Sequence, residues 1–190
     1  SVLQKNQIIT LQIDGYTAEG AGVGRYEGMA VFVSGALKGE TVQCLIIKCA
    51  KRYAVGKAVK ILAASPHRTI PPCPHFGRCG GCVLQHMDAE EQRSFKQQRI
   101  ADAFSHIGGI SAASLPVLGM EQPLRYRNKG AFPVGSGGTS AQIGLFAARS
   151  HRIIPIQDCL LQAPNTKEIL SILYEYLEQF NIPAYCEQTH

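Results

Sequence analysis

The sequence predicts a protein of the α+β class that is mainly β-strand and contains two helices. Three features of its 190 residues lead to this prediction. Glycines and β-branched residues dominate residues 4–64, prolines, cysteines and glycines are concentrated in residues 65–87, and helical periodicity is confined to residues 88–109 and 164–180. Hydrophobic residues make up 45% of the chain and charged residues 17%, which is typical of globular proteins and excludes wholesale disorder. No apolar run approaches the roughly 18 residues of a membrane span.

Residues 4–64 are expected to form a small barrel. Strands are predicted at residues 7–14 and 29–37, and two more β-rich runs lie within residues 41–62. Residues 18–28 contain four glycines and are predicted to form a turn region. A five-stranded barrel of the OB type fits this length.

Three of the seven cysteines are clustered, with the spacing C-x5-C-x2-C: Cys73, Cys79 and Cys82. An odd number of cysteines argues against a closed disulfide framework. No export signal is visible, so we expect a cytoplasmic protein, and in a reducing compartment clustered cysteines usually bind metal or act in catalysis. Gly80 and Gly81 lack a Cβ, so the chain between two of the thiols can pass close to a metal centre.

The spacing of the cysteines leaves the identity of the metal open. A centre with four thiolates needs one more cysteine, and Cys159 is the best candidate because it follows a predicted strand and precedes a turn. Iron–sulfur clusters typically use four thiolates. Zinc commonly uses C-x2-C pairs, with His75 or His86 available to complete the set. Cys44, Cys49 and Cys186 are expected to be small buried hydrophobic residues or inert thiols.

Both helices carry boundary signals and an expected buried face. Asp88 and Glu91 form a capping-box-like start to the first helix, and Gly108 ends it. Its buried side is predicted to be Phe95, Ile100, Phe104 and Ile107. The second helix is expected to pack against the core with the residues that recur at helical spacing, Ile169, Ile172, Leu173, Tyr176, Leu177 and Phe180.

A small antiparallel sheet is predicted between the helices. Residues 125–134 and 141–150 are expected to be strands joined by the GSGGT segment, and residues 151–156 a third strand. On the first of these strands Arg125, Arg127 and Lys129 alternate, which predicts one basic face.

The net charge of +5 is concentrated in two stretches. Residues 1–68 hold nine Lys and Arg against four Asp and Glu, and residues 111–160 hold five against two. Such stretches are expected to face a polyanion, although a mildly basic solvated surface explains the charge equally well. The candidate RNA contacts are Arg25, Lys38, Lys51, Arg52, Tyr53 and Lys57 in the barrel and Arg125, Arg127, Lys129, Arg149 and His151 in the later strands.

Taken together, three strings resemble a known family: CPHFGRCGGCVLQH, RYRNK and SHRIIPIQDC. They are similar to the S-adenosylmethionine-dependent RNA uracil-5-methyltransferases that carry an iron–sulfur cluster. The preceding barrel, with its glycine-rich loop and the segment VFVSGALKGE, resembles the TRAM module that is typical of the members acting on 23S ribosomal RNA.

The resemblance implies a 4Fe–4S cluster bound by Cys73, Cys79, Cys82 and Cys159. It also implies that the parent enzyme uses S-adenosylmethionine to form 5-methyluridine in 23S ribosomal RNA. The partner would be that RNA, not DNA or a membrane, and the protein would act in the cytoplasm as a monomer.

By this resemblance, residues 1–64 are the TRAM barrel, residues 65–110 the cluster loop and a helix, and residues 111–190 a truncated central RNA-binding domain that contains the fourth cysteine. No glycine-rich strand–loop–helix for the methyl donor occurs in the chain. The C-terminal Rossmann-like methyltransferase domain is therefore expected to be absent, and these residues alone are expected to be inactive. The alternative is a stand-alone RNA-binding module with a structural zinc site.

Overall fold

The computed structural model describes residues 3–112, 115–136 and 141–185. The chain divides into two compact units. Unit 1 consists of residues 1–70 and 84–118, and unit 2 of residues 71–83 and 119–190. The protein is mainly β with two helices, as predicted.

Unit 1 contains a closed five-stranded barrel, which confirms the predicted architecture. The strands follow the order β1-β2-β3-β5-β4 around the barrel, with a parallel pair between β3 and β5 and antiparallel pairs elsewhere. Their bounds are β1 Ile8–Tyr16, β2 Gly22–Tyr26, β3 Met29–Ser34, β4 Thr41–Cys49 and β5 Tyr53–Ala63.

Turns occur at both ends of the predicted turn region, around Gly20 and Gly28, but Gly22–Tyr26 between them forms the strand β2. β2 pairs with both β1 and β3, and Gly22 and Gly24 point into the barrel. A Cβ on Gly22 would lie 2.9 Å from the Ile13 side chain and 3.1 Å from Ala36. The glycines are therefore needed for close approach of the backbone at the point where the barrel closes, and this use of glycine leaves no local signal that distinguishes it from a turn.

Alternation along the strands fills the barrel with apolar side chains. The core consists of residues whose neighbours in sequence point outward, and includes Ile9, Leu11, Ile13, Val31, Val33, Val42, Cys44, Ile46 and Ala54. Cys44 is fully buried, which confirms its expected structural role, and burial raises the pKa of its thiol to about 11. Cys49 is exposed.

One buried ion pair fastens the chain that leaves the barrel. The Glu40 carboxylate is fully buried and accepts two hydrogen bonds from the guanidinium of Arg68, at 2.5 and 2.7 Å. It also accepts from the backbone amides of Leu37 and Ser65, at 2.8 and 3.2 Å. Four donors thus compensate the cost of burying this charge.

The first helix, α1 (Ala89–Asp102), begins as predicted. The Asp88 side chain accepts a hydrogen bond from the amide of Glu91 at 2.8 Å. Glu91 does not complete a capping box, because its carboxylate accepts instead from the hydroxyl of Tyr16. The helix continues as a π-helical turn over Ala103–Ile107 and ends at Gly108.

The predicted buried side of α1 is wrong at three of its four positions. Phe95 is buried and meets the ring of Tyr16 edge-on at 5.5 Å. Ile100, Phe104 and Ile107 are exposed. Ile100 is five residues from Phe95 and so lies on a different side of the helix, and the π-helical turn changes the helical period at Phe104 and Ile107.

Unit 2 contains a three-stranded antiparallel sheet of order β6-β7-β8, with β6 Val134–Ser136, β7 Ala141–Phe146 and β8 Ile153–Pro155. This confirms the predicted antiparallel arrangement, but the strands are shorter than expected. Residues 125–133 are not a strand; a single residue in this stretch, Arg127, forms an isolated parallel bridge with Gln162. The predicted strand with an alternating basic face is therefore wrong. Residues 137–139 of the GSGGT connection lie outside the described residues, as does Cys186.

The second helix, α2 (Thr166–Gln179), packs through a different stripe from the one predicted. Three residues of the helix face the sheet: Leu170, Tyr174 and Leu177. They pack in one cluster with Ile143 of β7 and with Ile156. The hydroxyl of Tyr174 donates to the carbonyl of Ile143 and accepts from its amide. Of the residues predicted to be buried in this helix, only Leu177 packs inward. The other five are exposed: Ile169, Ile172, Leu173, Tyr176 and Phe180. Neither helix of the described residues has the length and apolar character needed to cross a lipid bilayer.

Candidate metal centre and nucleic-acid interface

The cysteine loop, residues 71–83, is anchored to the sheet of unit 2 at Gly80. The Gly80 amide donates to the carbonyl of Phe146 at 2.9 Å, and Cys79 forms an antiparallel bridge with Ala147. A Cβ on Gly80 would lie 2.9 Å from the backbone of Ala148. Glycine is therefore required here for close approach, as the sequence suggested, although it faces the sheet backbone rather than a metal.

Backbone hydrogen bonds form tight turns inside the cysteine loop, and one amide donates to a cysteine sulfur. The amides of Arg78 and Cys79 donate to the carbonyl of His75, and that of Phe76 donates to the carbonyl of Cys73. The Gly81 amide donates to the Sγ of Cys79 at 3.3 Å. An N–H group directed at sulfur stabilises a thiolate, which is the form of cysteine that ligates metals.

Cys159 lies in a turn that the RYRNK segment braces. The backbone amides of Arg125 and Arg127 donate to the carbonyls of Leu160 and Leu161, each at 2.8 Å. The guanidinium of Arg125 forms two hydrogen bonds with the Asp158 carboxylate, at 2.8 and 2.6 Å. The hydrogen bond to Arg125 lowers the pKa of Asp158 and raises that of Arg125. This segment therefore positions the fourth predicted ligand.

Arg127 lies close to two of the predicted ligands. Its pKa is raised mainly by a hydrogen bond to Tyr126, and the negative charges of Cys82 and Cys159 add to the effect. The fold thus brings Cys82, from the cysteine loop, and Cys159, from the turn after β8, near one guanidinium.

The four predicted ligands fit a metal centre in their chemistry but are not gathered into one. None of the six described cysteines forms a disulfide. Among the described residues, no three or more His, Cys, Asp or Glu side chains are arranged to hold a metal ion. The identity of the ligand set therefore stays a prediction.

An open cavity of about 550 Å³ lies beside the cysteine loop in unit 2. It is lined by Gly80 and Gly81 and by residues 145–151. Two of the candidate RNA contacts, Arg149 and His151, line it, and the His151 ring meets Phe146 edge-on at 5.4 Å.

The structure places ten of the eleven candidate RNA contacts in exposed positions. Arg125 is the exception, because its guanidinium is engaged by Asp158. In the barrel, Arg25, Tyr53 and Lys57 lie on the outer surface, while Lys51 and Arg52 form the turn before Tyr53. Lys38 lies apart from these, in the turn before β4.

Sequence reasoning missed Phe32, whose ring lies 5.4 Å from that of Tyr53. The alternation of β3 was the available signal: Val31 and Val33 are core residues, so the residue between them points outward.

Comparison with known proteins agrees with this architecture. Residues 3–59 match the model of the TRAM domain. The chain is 43% identical over 188 residues to a protein of Clostridium tetani and 44% identical over 167 residues to one of Caldanaerobacter subterraneus, and both are named uncharacterized RNA methyltransferases. These matches cover 99% and 88% of the chain but only 41% and 37% of the relatives, so the chain spans about two-fifths of their length.

A solved structure supports the fold. The tRNA (uracil-54, C5)-methyltransferase of Pyrococcus abyssi, in complex with S-adenosyl-L-homocysteine, superposes with a TM-score of 0.64 at 22% identity. The match covers 91% of this chain and 37% of the archaeal one. Residues 3–59 are therefore a TRAM domain, and nearly the whole chain is similar to a part of proteins named RNA methyltransferases.

Proposed function

We propose that these residues are the RNA-holding and 4Fe–4S-binding part of an S-adenosylmethionine-dependent enzyme that forms 5-methyluridine in 23S ribosomal RNA. The observation that carries the proposal is relatedness over nearly the whole chain, at 43% identity, to a protein named an RNA methyltransferase. The fold likeness to a uracil C5-methyltransferase adds the type of base. We assign the chemical step, and the binding of S-adenosylmethionine, to the remainder of a protein of the relatives' length.

The proposed reaction explains why an RNA-holding part is needed. Uracil C5 is a weak nucleophile, so a thiolate adds to C6 and the resulting enolate attacks the methyl group through C5. A base then removes the C5 proton and the thiolate leaves. The target uracil must first leave its stack to meet the thiolate. Basic and aromatic surfaces such as those of this chain can hold the rearranged RNA while this happens.

For the metal centre we propose that Cys73, Cys79, Cys82 and Cys159 hold the 4Fe–4S cluster as a structural staple. When bound, the cluster would supply metal–sulfur bonds that join the cysteine loop to the Cys159 turn. The amide of Gly81, directed at the Cys79 sulfur, and the cation of Arg127 support thiolate ligation. Binding requires the thiols to close in from the positions described above.

Zinc is the second candidate for this centre, because of one observation in the cysteine loop. The Nδ1 atom of His75 is shielded from solvent and makes no hydrogen bond within the described structure. An imidazole nitrogen of this kind is a suitable zinc ligand beside two or three thiolates. This would favour a stand-alone RNA-binding module with a structural zinc site.

Metal analysis separates the two candidates. The chain is purified without oxygen, and its iron, sulfide and zinc are measured by elemental and colorimetric analysis. Brown protein with close to four iron and four sulfide per chain supports the cluster, and Cys79→Ser should remove that iron, whereas Cys49→Ser on the exposed edge of the barrel should not. Colourless protein with stoichiometric zinc would overturn the cluster and support the alternative.

The enzymatic proposal is tested with the full-length natural protein. It is incubated with methyl-tritiated S-adenosylmethionine and with unmodified 23S ribosomal RNA or unmodified tRNA. The tRNA arm is included because the archaeal fold relative acts on uracil-54 of tRNA. Label in 5-methyluridine of 23S RNA is the expected result. Label in tRNA alone would overturn the ribosomal substrate, and no label in either RNA would overturn the methyltransferase proposal.

We further propose that the protein acts in the cytoplasm as a monomer and binds no DNA. Clustered cysteines that ligate a metal are typical of a reducing compartment. Sedimentation of the full-length protein, alone and with RNA, tests the monomer.

A further inference from the structure

The outer surface of the barrel carries an aromatic pair over strands β3 and β5. These strands run parallel, with Ala30 opposite Tyr53 and Phe32 opposite Val55. Phe32 and Tyr53 are therefore diagonal neighbours on the same face. Their ring centroids are 5.4 Å apart, and the planes are inclined by 37°. We call Phe32 and Tyr53 the aromatic platform.

The barrel core does not need these rings. Val31, Val33 and Ala54 fill the interior and are fully buried. Phe32 and Tyr53 alternate with these residues and point away from the core, and Tyr53 keeps 37% of its surface exposed. Two neighbouring aromatic rings on the outer face of a sheet offer ring faces on which another π-system can stack.

Cations surround the platform on three sides. Arg25 on β2 pairs with Ala30, and Lys57 on β5 pairs with Ser34, so both lie on the same outer face as the rings. Lys51 and Arg52 occupy the exposed turn that leads into Tyr53.

The outer face of β1 differs sharply in chemistry. Its outward residues are Ile8, Thr10, Gln12 and Asp14, which include one acid and no Lys or Arg. The outer face of β1 therefore lacks the Lys and Arg side chains that flank the aromatic rings. This arrangement complements a ligand that alternates flat bases with phosphates.

We propose that the aromatic platform stacks the bases of a single-stranded RNA segment while Arg25, Lys57 and the Lys51–Arg52 turn contact its phosphates. The inference rests on the proposed function, since it assigns the RNA to one face of the barrel. Bases can reach the rings only when they are unpaired, so a single strand is favoured over a duplex. Stacking tolerates any base, so the platform would add grip without reading sequence.

The test measures binding of a fluorescently labelled 12-nucleotide RNA by the 190-residue chain across a salt series, with the same sequence as a duplex for comparison. The variants are Phe32→Leu with Tyr53→Leu, which keep apolar bulk but remove the rings. We expect this variant to bind the single-stranded RNA roughly tenfold or more weakly than the unaltered chain does. The salt slope should be unchanged, because no charge is removed. Arg25→Gln with Lys57→Gln should instead flatten the slope by about 0.7 per lost phosphate contact.

A matched control is Ile8→Ala with Thr10→Ala on the outer face of β1, which should bind as the unaltered chain does. Thermal melting verifies that each variant is folded, and Tyr53→Leu alone carries the test if the double variant does not fold. If the unaltered chain binds the single strand and the ring variants bind it equally well, the inference is overturned and the proposed function stands. Equal affinity for the duplex also overturns it. If the unaltered chain binds neither RNA, both proposals fail.

Discussion

Replacement of Arg68 by Met should destabilise unit 1 more than any single surface change. The substitution keeps most of the side-chain length and removes the guanidinium, which leaves the fully buried carboxylate of Glu40 without its charged partner. Two of the four hydrogen bonds to this carboxylate are lost, and the two from backbone amides remain. Breaking a buried pair on one side costs about 3–5 kcal/mol. We expect about 3 kcal/mol, the lower end of that range, because the Arg68 side chain is itself 23% exposed.

The cost should depend on pH in a defined direction. Burial pushes the pKa of Glu40 upward, but hydrogen bonds, first of all that from Arg68, hold it below 4.5. In the unaltered protein this lowered pKa contributes stability that is present above about pH 4.5 and is lost as the pH falls further. In Arg68→Met the effect of burial dominates, so the carboxylate takes up a proton at higher pH. The difference between the two proteins should therefore be largest at pH 7 and shrink toward pH 4.

Urea unfolding followed by circular dichroism at several pH values measures this difference. Arg25→Met is the matched control, since Arg25 is exposed and its recorded hydrogen bond, to the carbonyl of Gly28, is long at 3.4 Å. Glu40→Gln combined with Arg68→Met removes both charges and should recover part of the loss, which completes a double-mutant cycle. A loss below about 1 kcal/mol at pH 7, or a loss that is the same at pH 4 and pH 7, would refute this reasoning.

Three other outcomes follow from the structure. Burial, and then the charge of Arg68, lowers the pKa of His86 to about 4, so His86 takes up a proton in the unfolded chain before it does in the folded protein, and the free energy of unfolding should fall by up to about 3 kcal/mol as the pH drops from 6.5 to 4. In His86→Leu the urea midpoint should no longer show this dependence on pH. An unchanged dependence on pH would contradict the prediction. Tyr174→Phe should cost about 1–3 kcal/mol of stability in thermal melting, because the amide of Ile143 in β7 loses the hydroxyl to which it donates. Replacement of the exposed Tyr176 by Phe should cost almost nothing. Equal effects of the two substitutions would contradict this prediction. Gly80→Ala should release the cysteine loop from the sheet and reduce the metal content, since the added Cβ would lie 2.9 Å from the backbone of Ala148. Gly81→Ala is the control, because there the nearest atom to the added Cβ is the sulfur of Cys79 at 3.4 Å. Equal metal content in the two variants would count against Gly80 as the anchor of the loop.

The errors in the predicted buried faces of the two helices share one physical origin. Ile100 and Phe104 are four residues apart and share one side of the first helix, yet they are exposed because the barrel meets the side that carries Phe95. In α2 the apolar residues cover two adjacent stripes, and the sheet packs against only one of them, which contains Leu170 and Tyr174. Periodicity reports that an apolar face exists, whereas the neighbouring element decides which face is buried.

The sequence by itself determined the parts that depend on near neighbours. Short runs of β-branched residues predicted the barrel, the Asp88 cap specified the start of α1, and the cysteine spacing singled out the loop around Cys79. These features arise from residues within a few positions of one another.

Only the tertiary structure decided what distant residues do for one another. It made Arg125 a partner of Asp158 and not part of a basic strand face, and it placed Phe32 beside Tyr53. Pairing across 21 to 33 positions depends on strand register and on how the chain returns, and neither is encoded in any short stretch of residues.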